Sequence, residues 1–155
     1  MKIIIYTDGS ALGNPGKGGF GVVMRFGKHY KEISGGYRRT TNNRMELLAV
    51  ITALESLKRG DIETIIHTDS QYVQRAITEN WVFGWAKKNF AGKKNADLWR
   101  RFLAVYLPIK NMISFQWVKA HIGILDNERC DVLAKMAAEA TDLEIDEVYE
   151  AENPA

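Results

Sequence analysis

Four carboxylates are spread along the chain, each inside a distinctive local string. They are Asp8 in Tyr6-Thr7-Asp8-Gly9-Ser10, Glu46 in Thr41-Asn42-Asn43-Arg44-Met45-Glu46, Asp69 in His67-Thr68-Asp69-Ser70, and Asp131 in Asn127-Glu128-Arg129-Cys130-Asp131. Each falls where a secondary-structure element is expected to end or begin. Four acids brought to one point repel one another and do not stay ionised together without cations. Hard divalent ions bound through carboxylate oxygens, Mg²⁺ or Mn²⁺, are the natural counter-charge. A pair of such ions suits in-line displacement at phosphorus, where it stabilises both the attacking and the leaving oxygen. The acids therefore point to phosphodiester hydrolysis.

Taken singly, each acid also has an ordinary structural reading. Asp8 followed by Gly9-Ser10 suits a turn, and Asp69-Ser70 suits a helix opening. Glu46 in a first turn favours the helix dipole. Asp131 is spaced i,i+4 from Lys135. The functional reading rests on the set: two acids at strand ends and two at helix beginnings, positions that a small α/β domain can turn toward one sheet edge. His121, in Val118-Lys119-Ala120-His121-Ile122-Gly123, falls in a loop ahead of the Asp131 helix, where a histidine beside a metal site can move protons. His29 and His67 lie within expected strands and read as structural.

The elements that must position these groups follow from periodicity. Residues 3–7 form an apolar, β-branched run and read as a strand; the glycine-rich stretch from 8 to 21 reads as opening in a turn. Residues 19–26 and 30–34 read as an antiparallel pair joined at Gly27-Lys28. Asn42-Asn43 signals a helix start, with one of the two as the cap, and Leu47, Val50, Ile51, Leu54 and Leu57 recur at helical spacing. A strand over 62–68, a helix over 70–77, a helix over 97–107 ended by Pro108, a strand over 113–118 and a helix over 127–140 complete the order. In the last helix Leu133, Met136, Ala137 and Ala140 share one side. Three strands, a helix, then alternating strands and helices predict an α/β fold: a mixed five-stranded sheet flanked by helices. Sites in open α/β sheets lie off the carboxyl ends of strands, where Asp8 and Asp69 are expected.

A chain of 155 residues, 46% hydrophobic and 26% charged, suits one soluble globular domain. The lone Cys130 excludes an internal disulfide and fits a reducing compartment. The start of the chain is too soon polar for a signal peptide, and no apolar run has membrane-spanning length; the expectation is a cytoplasmic protein with no membrane partner. The net charge of +2 hides an asymmetry: residues 142–155 carry six of the 19 acids and no base. The body, residues 1–141, therefore holds 21 bases against 13 acids, +8 net, as a polyanion binder would. The acidic tail reads as a solvated, flexible end, with a nucleic-acid mimic as its second reading.

Five strings together closely resemble bacterial type 1 ribonuclease H: Thr7-Asp8-Gly9-Ser10, Leu12-Gly13-Asn14-Pro15-Gly16, Thr40-Thr41-Asn42-Asn43-Arg44-Met45-Glu46-Leu47, Thr68-Asp69-Ser70-Gln71-Tyr72-Val73 and Asn127-Glu128-Arg129-Cys130-Asp131. The resemblance runs in order over residues 3–140. It implies the ribonuclease H fold and a monomeric endonuclease that cuts the RNA strand of an RNA–DNA hybrid, leaving 5′-phosphate and 3′-hydroxyl ends. It also implies two Mg²⁺ per site, replaceable by Mn²⁺, with Asp8, Glu46, Asp69 and Asp131 as metal-binding acids and His121 in proton transfer and product departure. Asn14, Asn42 and Gln71 match the hybrid-binding face, where side-chain amides can both donate to and accept from a 2′-hydroxyl. Thr41 and Asn43 are candidates for a phosphate pocket on the DNA strand. Residues 81–101 resemble the family's basic handle, with Trp81, Trp85, Lys87 and Lys88 as substrate contacts and Trp99 and Phe102 as core. The handle is shorter here between Lys88 and Asp97, and Ala120 stands before His121 where glycine is familiar. Two alternatives remain: a same-fold DNA nuclease, and a hybrid-binding module without catalysis.

Overall fold

The computed structural model describes residues 1–119 and 123–155. Five strands, β1 (Ile3–Leu12), β2 (Gly16–Phe26), β3 (His29–Thr40), β4 (Thr64–Thr68) and β5 (Ile113–Trp117), form one sheet in the order β3-β2-β1-β4-β5. β1, β2 and β3 pair antiparallel, whereas β1–β4 and β4–β5 are parallel. This is the mixed sheet that the alternation of patterns predicts. The helices are α1 (Asn42–Glu55), α2 (Gln71–Thr78), α3 (Trp81–Lys87), α4 (Ala96–Tyr106), α5 (Leu125–Glu139) and α6 (Glu147–Glu152). No helix among the described residues is long and apolar enough to cross a membrane.

One face of the sheet carries the main core. Ile3, Ile5, Val22 and Ile66 meet α1, whose apolar residues Met45, Leu47, Val50, Ile51 and Leu54 are all buried, and Trp99 and Phe102 of α4 close the outer side. A helix buried on so much of its circumference is the centre of the molecule rather than its surface. The opposite face is covered by α5, where Cys130 and Leu133 pack on Val23 and Tyr6. That contact is unusually close because β2 and β3 offer glycines to the helix. A Cβ on Gly21 would lie 2.6 Å from the Cys130 carbonyl oxygen, and one on Gly36 would lie 2.1 Å from that of Ala137. α5 thus rests main chain to main chain on the sheet.

The same glycines explain where the expected boundaries fail. β1 does not stop at residue 7: it runs to Leu12, paired with β2 down to Leu12↔Lys17, so Asp8 lies inside a strand opposite Gly21. Glycines that read as turn formers are strand residues, chosen for their thinness under a helix. The turn itself covers only residues 13–15. Neither Asn42 nor Asn43 caps α1; Thr41 does, its hydroxyl oxygen accepting from the Arg44 amide at 3.2 Å. Pro108 ends α4 as expected, but the chain continues as a 3₁₀ helix, Leu107–Met112. α3 forms within the handle, where no helix is expected. On α5, Leu133 is buried as expected but Met136 is 60% exposed, and Asn127, Cys130, Ala134 and Ala138 complete the buried side.

The acidic segment 142–155, expected as a flexible end, is packed on the body. Glu144 forms a parallel bridge with Tyr37, its amide donating to the Gly36 carbonyl and its carbonyl accepting from the Arg38 amide, both at 2.9 Å. Asp146 is buried and accepts from Thr40 Oγ1 at 2.7 Å and from Arg44 Nε and Nη2 at 2.8 Å each. The guanidinium of Arg44 also grips Asp97 at 2.8 Å, so one buried arginine ties α1, α4 and the C-terminal segment together. The segment is held by this specific buried partner, Asp146 on Arg44 and Thr40, which bulk charge counting does not register.

Candidate active site

The parallel β1–β4 ladder ends at Tyr6↔His67, and β4 stops at Thr68 while β1 continues with β2 as its partner. The last rung is closed by stacking of the Tyr6 and His67 rings at 4.1 Å and by the contact of His67 Nδ1 with the Ile5 carbonyl at 3.0 Å. That is the structural role expected of His67; His29 is the exposed first residue of β3. Just beyond the rung the two strands part. Asp8 stands on one lip and Asp69 on the other, where Ser70 caps α2 by accepting from the Val73 amide at 3.2 Å.

Glu46 arrives from the second turn of α1, not the first turn expected, because the helix is capped at Thr41 and opens at Asn42. Its carboxylate Oε1 accepts from the Gly9 amide, and the same amide donates to Asp8 Oδ1 at 2.9 Å. The approach depends on Gly9, because a Cβ there would sit 2.3 Å from the Met45 carbonyl carbon and 2.4 Å from the Glu46 nitrogen. Asp8, Glu46 and Asp69 each offer an oxygen within 4.8 Å of the others. Asp131 lines the same cleft from α5 and carries an ion pair to Lys135 at 3.0 Å. Its i,i+4 partner is therefore real, and so is its place at the cleft. The two readings of Asp131 are not exclusive.

The electrostatics are those of an acid cluster short of positive charge. Burial, then the Asp69 and Asp131 charges, push the Asp8 carboxyl up to about 6, against opposing hydrogen bonds from Glu46 and the Gly9 amide. Burial, and after it the neighbouring Asp8, hold Glu46 well above the usual carboxylate range. A divalent cation reverses both effects at once, since it replaces lost hydration and separates like charges. The donor set is all oxygen, which fits Mg²⁺ or Mn²⁺ rather than a thiolate-seeking metal. Asp8, Glu46 and Asp69 are the residues whose oxygens lie close enough together to hold it, with Asp131 on the same cleft.

The cleft has a volume of about 520 Å³ and is open along its length. Asn42, Asn43 and Gln71 line it, together with Ser10, Ser70, Tyr72 and Lys135. Asn42 Oδ1 accepts from the Ala11 amide at 2.6 Å, and the Asn42 amide donates to Asn14 Oδ1 at 3.1 Å. Both side-chain carbonyls are engaged, so the amide NH₂ groups are what these residues present. Asn43 is shared with a second depression of about 400 Å³ bounded by Asn14, Thr41, Lys94 and Asn95. Gln71 and Tyr72 are shared with a third, lined by Arg75, Trp81 and Trp85. Trp81 is 42% exposed, whereas Trp85 is half-buried and packs edge-on against the core residue Trp99 at 6.1 Å. Lys87 and Lys88 are exposed at the C-terminal end of α3. His121 lies outside the described residues.

Lys135, Ser10, Ser70 and Tyr72 line the cleft without having been singled out from the sequence. Lys135 registered only as the partner of Asp131. Ser10 was on view in the string after Asp8; its buried hydroxyl lines the cleft and has no hydrogen-bond partner among the described residues.

Residues 1–139 match the family model described as RNase H. The chain is 52% identical over 155 residues to a ribonuclease H of Shewanella loihica, covering 97% of this chain and 96% of that protein. It is 53% identical over 154 residues to a ribonuclease H of Shewanella amazonensis, covering 96% of each. Among solved structures, LC9-RNase H1, a type 1 RNase H with the type 2 active-site motif, superposes with a TM-score of 0.77 at 29% identity over 88% of this chain and 71% of that one. LC11-RNase H1, solved in complex with an RNA/DNA hybrid, superposes with a TM-score of 0.68 at 29% identity over 88% of this chain and 96% of that one. With a mixed sheet, an acid cluster at the parting of β1 and β4, and these matches along nearly its whole length, the chain belongs to the RNase H family, on the bacterial type 1 branch.

Proposed function

We propose that the protein hydrolyses the RNA strand of RNA–DNA hybrids as a metal-dependent endonuclease. The observation that carries the reading is the convergence of Asp8, Glu46 and Asp69 within 4.8 Å at the floor of a cleft that Asp131 also lines, in a chain of the RNase H family. When bound there, two hard divalent ions supply water activation and stabilisation of the leaving 3′ oxygen, giving 5′-phosphate and 3′-hydroxyl products.

The remaining residues position the substrate. Asn14 and Asn42, with their carbonyls engaged, turn NH₂ donors outward, and Gln71 offers a complete amide; together they can recognise 2′-hydroxyls along one strand. The Thr41 hydroxyl accepts from the Arg44 amide and keeps its proton for a phosphate oxygen. It lies with Asn43 at the N-terminus of α1, where the helix dipole favours an anion. That depression would seat a phosphate of the DNA strand. Trp81, Trp85, Lys87 and Lys88 would hold sugars and phosphates on the far side of Gln71. His121 would take part in proton transfer and product departure. The protein would act as a monomer in the cytoplasm, as the sequence suggests.

The test is incubation of labelled RNA–DNA hybrid, single-stranded RNA, duplex RNA and duplex DNA with Mg²⁺ or EDTA, with Asp8→Asn in parallel. Mg²⁺-dependent cutting of RNA in the hybrid alone, lost in Asp8→Asn, is the expected result. Cutting of duplex DNA would reassign the protein to a same-fold DNA nuclease. Tight hybrid binding without turnover would leave a binding module.

A further inference from the structure

The depression shared with the cleft through Asn43 has a wall that the proposed function does not use. Opposite Asn14, Thr41, Lys94 and Asn95 it is bounded by Tyr149, Glu152 and Asn153 of the C-terminal segment. The segment also takes up the cations of the adjoining strand. Arg39 donates from Nη1 to the Asn153 carbonyl at 2.6 Å and lies 5.4 Å from the Tyr149 ring centroid. Arg38 makes a two-pronged pair with Glu150, at 2.9 and 2.8 Å.

The segment is anchored unevenly. Asp146 is buried against Arg44 and Thr40, so the chain up to that point is fixed. Beyond it, α6 has six residues, none of them buried, and its contacts with Arg38 and Arg39 lie at the surface; the Arg38 side chain is 56% exposed. A helix this short has little stability of its own, and exposed ion pairs hold weakly in water. Residues 147–155 are thus a negatively charged strap on a firm hinge, laid over a surface suited to anions.

We propose that this strap is an autoinhibitory contact. α6 and the residues after it compete with the phosphate backbone of the substrate for Arg38, Arg39 and the depression at Thr41, Asn43 and Lys94, and substrate binds by lifting the strap from its hinge at Asp146. The inference rests on the proposed hybrid-cleaving function. The strap carries Glu147, Glu150 and Glu152 and no base. Its release exposes two arginines and removes three like charges from beside the incoming phosphates. Each additional phosphate contact steepens the fall of log affinity with log salt by about 0.9 for B-DNA.

The experiment compares the full chain, a chain ending at Asp146, and the full-length double variant Glu150→Gln, Glu152→Gln, which retains every backbone contact of α6. Steady-state cleavage of an RNA–DNA hybrid is followed from about 50 to 200 mM salt. The expected result is a KM lowered about three- to tenfold in the shortened chain at the low-salt end, with kcat unchanged and the salt slope steeper by about one to two. The double variant should shift KM in the same direction by a smaller factor. An unchanged or raised KM in both variants, with normal kcat, overturns the strap alone. A full chain that cuts no hybrid in Mg²⁺ overturns both the strap and the function on which it rests.

Discussion

Removing one charge from the acid cluster should stabilise the metal-free protein, with a definite dependence on pH. Burial and its acidic neighbours hold the Asp8 carboxyl at about 6 in the folded chain, against 3.8 for the free group. The difference of about two pH units corresponds to about 3 kcal/mol at 1.36 kcal/mol per unit. Because the folded pKa is raised, the folded state binds the proton more tightly than the unfolded one. Its relative stability is full below about pH 4, is lost as pH rises through about 6, and is flat above. Asp8→Asn keeps the acceptor for the Gly9 amide and removes the titration. In EDTA the variant should therefore exceed the parent by about 2–3 kcal/mol at pH 8, and the two should converge near pH 4. Urea unfolding at a series of pH values gives the comparison directly. Mg²⁺ should raise the parent's midpoint at pH 8 and leave the variant's nearly unmoved. A variant no more stable than the parent at pH 8, or an advantage that grows toward low pH, refutes the electrostatic account of the cluster.

Gly9→Ala drives a methyl group to 2.3 Å from the Met45 carbonyl carbon, so β1 and α1 must separate; a loss of about 1–3 kcal/mol in urea melts and at least a hundredfold in hybrid cleavage is expected. Asp146→Ala leaves the buried Arg44 with Asp97 as its remaining carboxylate partner, and should lower unfolding free energy by about 3 kcal/mol. Burial opposes but Arg44 outweighs it in holding the Asp97 carboxyl below its ordinary value, so this ion pair contributes stability above about pH 4 that is lost as the medium is acidified. Lys135→Met frees Asp131 from a cation 3.0 Å away; Mg²⁺ binding followed by calorimetry should tighten about two- to fivefold, while stability changes by less than about 0.5 kcal/mol.

Part of the site was legible because its local strings fall near element boundaries, where local chemistry is strict. Asp69 follows β4 as expected, whereas the cap of α2 is Ser70, one residue later than the Asp69 reading, and Glu46 lies one turn deeper in α1 than expected. Asp8 was legible as a site residue but not as a strand residue. Glycines between residues 9 and 21 carry two meanings, turn and thinness, and only the presence of α1 and α5 over them selects the second. The cap of α1 was misassigned by one position because Thr41, Asn42 and Asn43 are all competent caps, and the choice fell to the tertiary bonds of Asn42 with Ala11 and Asn14. The C-terminal segment escaped altogether. Its composition is that of a solvated tail, and what holds it is one buried aspartate facing an arginine a hundred residues earlier. Such long-range pairs leave no local periodicity.

The seat of α5 on the glycines of β2 and β3 has a consequence for the reach of the fourth acid. Asp131 rides on a helix whose height above the sheet is set by carbonyl oxygens against bare α-carbons, as at Gly21 and Cys130. That height is a dimension of the peptide itself. Elsewhere in the core, exchanging a valine for an isoleucine moves one layer against another by the width of a methyl group. At Gly21 and Gly36 no side chain lies between the layers to grow or shrink, while Val23, Cys130 and Leu133 fill the space beside those contacts. The distance from Asp131 to Asp8 and Asp69 is thus set in part by main-chain contacts, which answer less to exchanges of core side chains than a layer spaced by side chains alone.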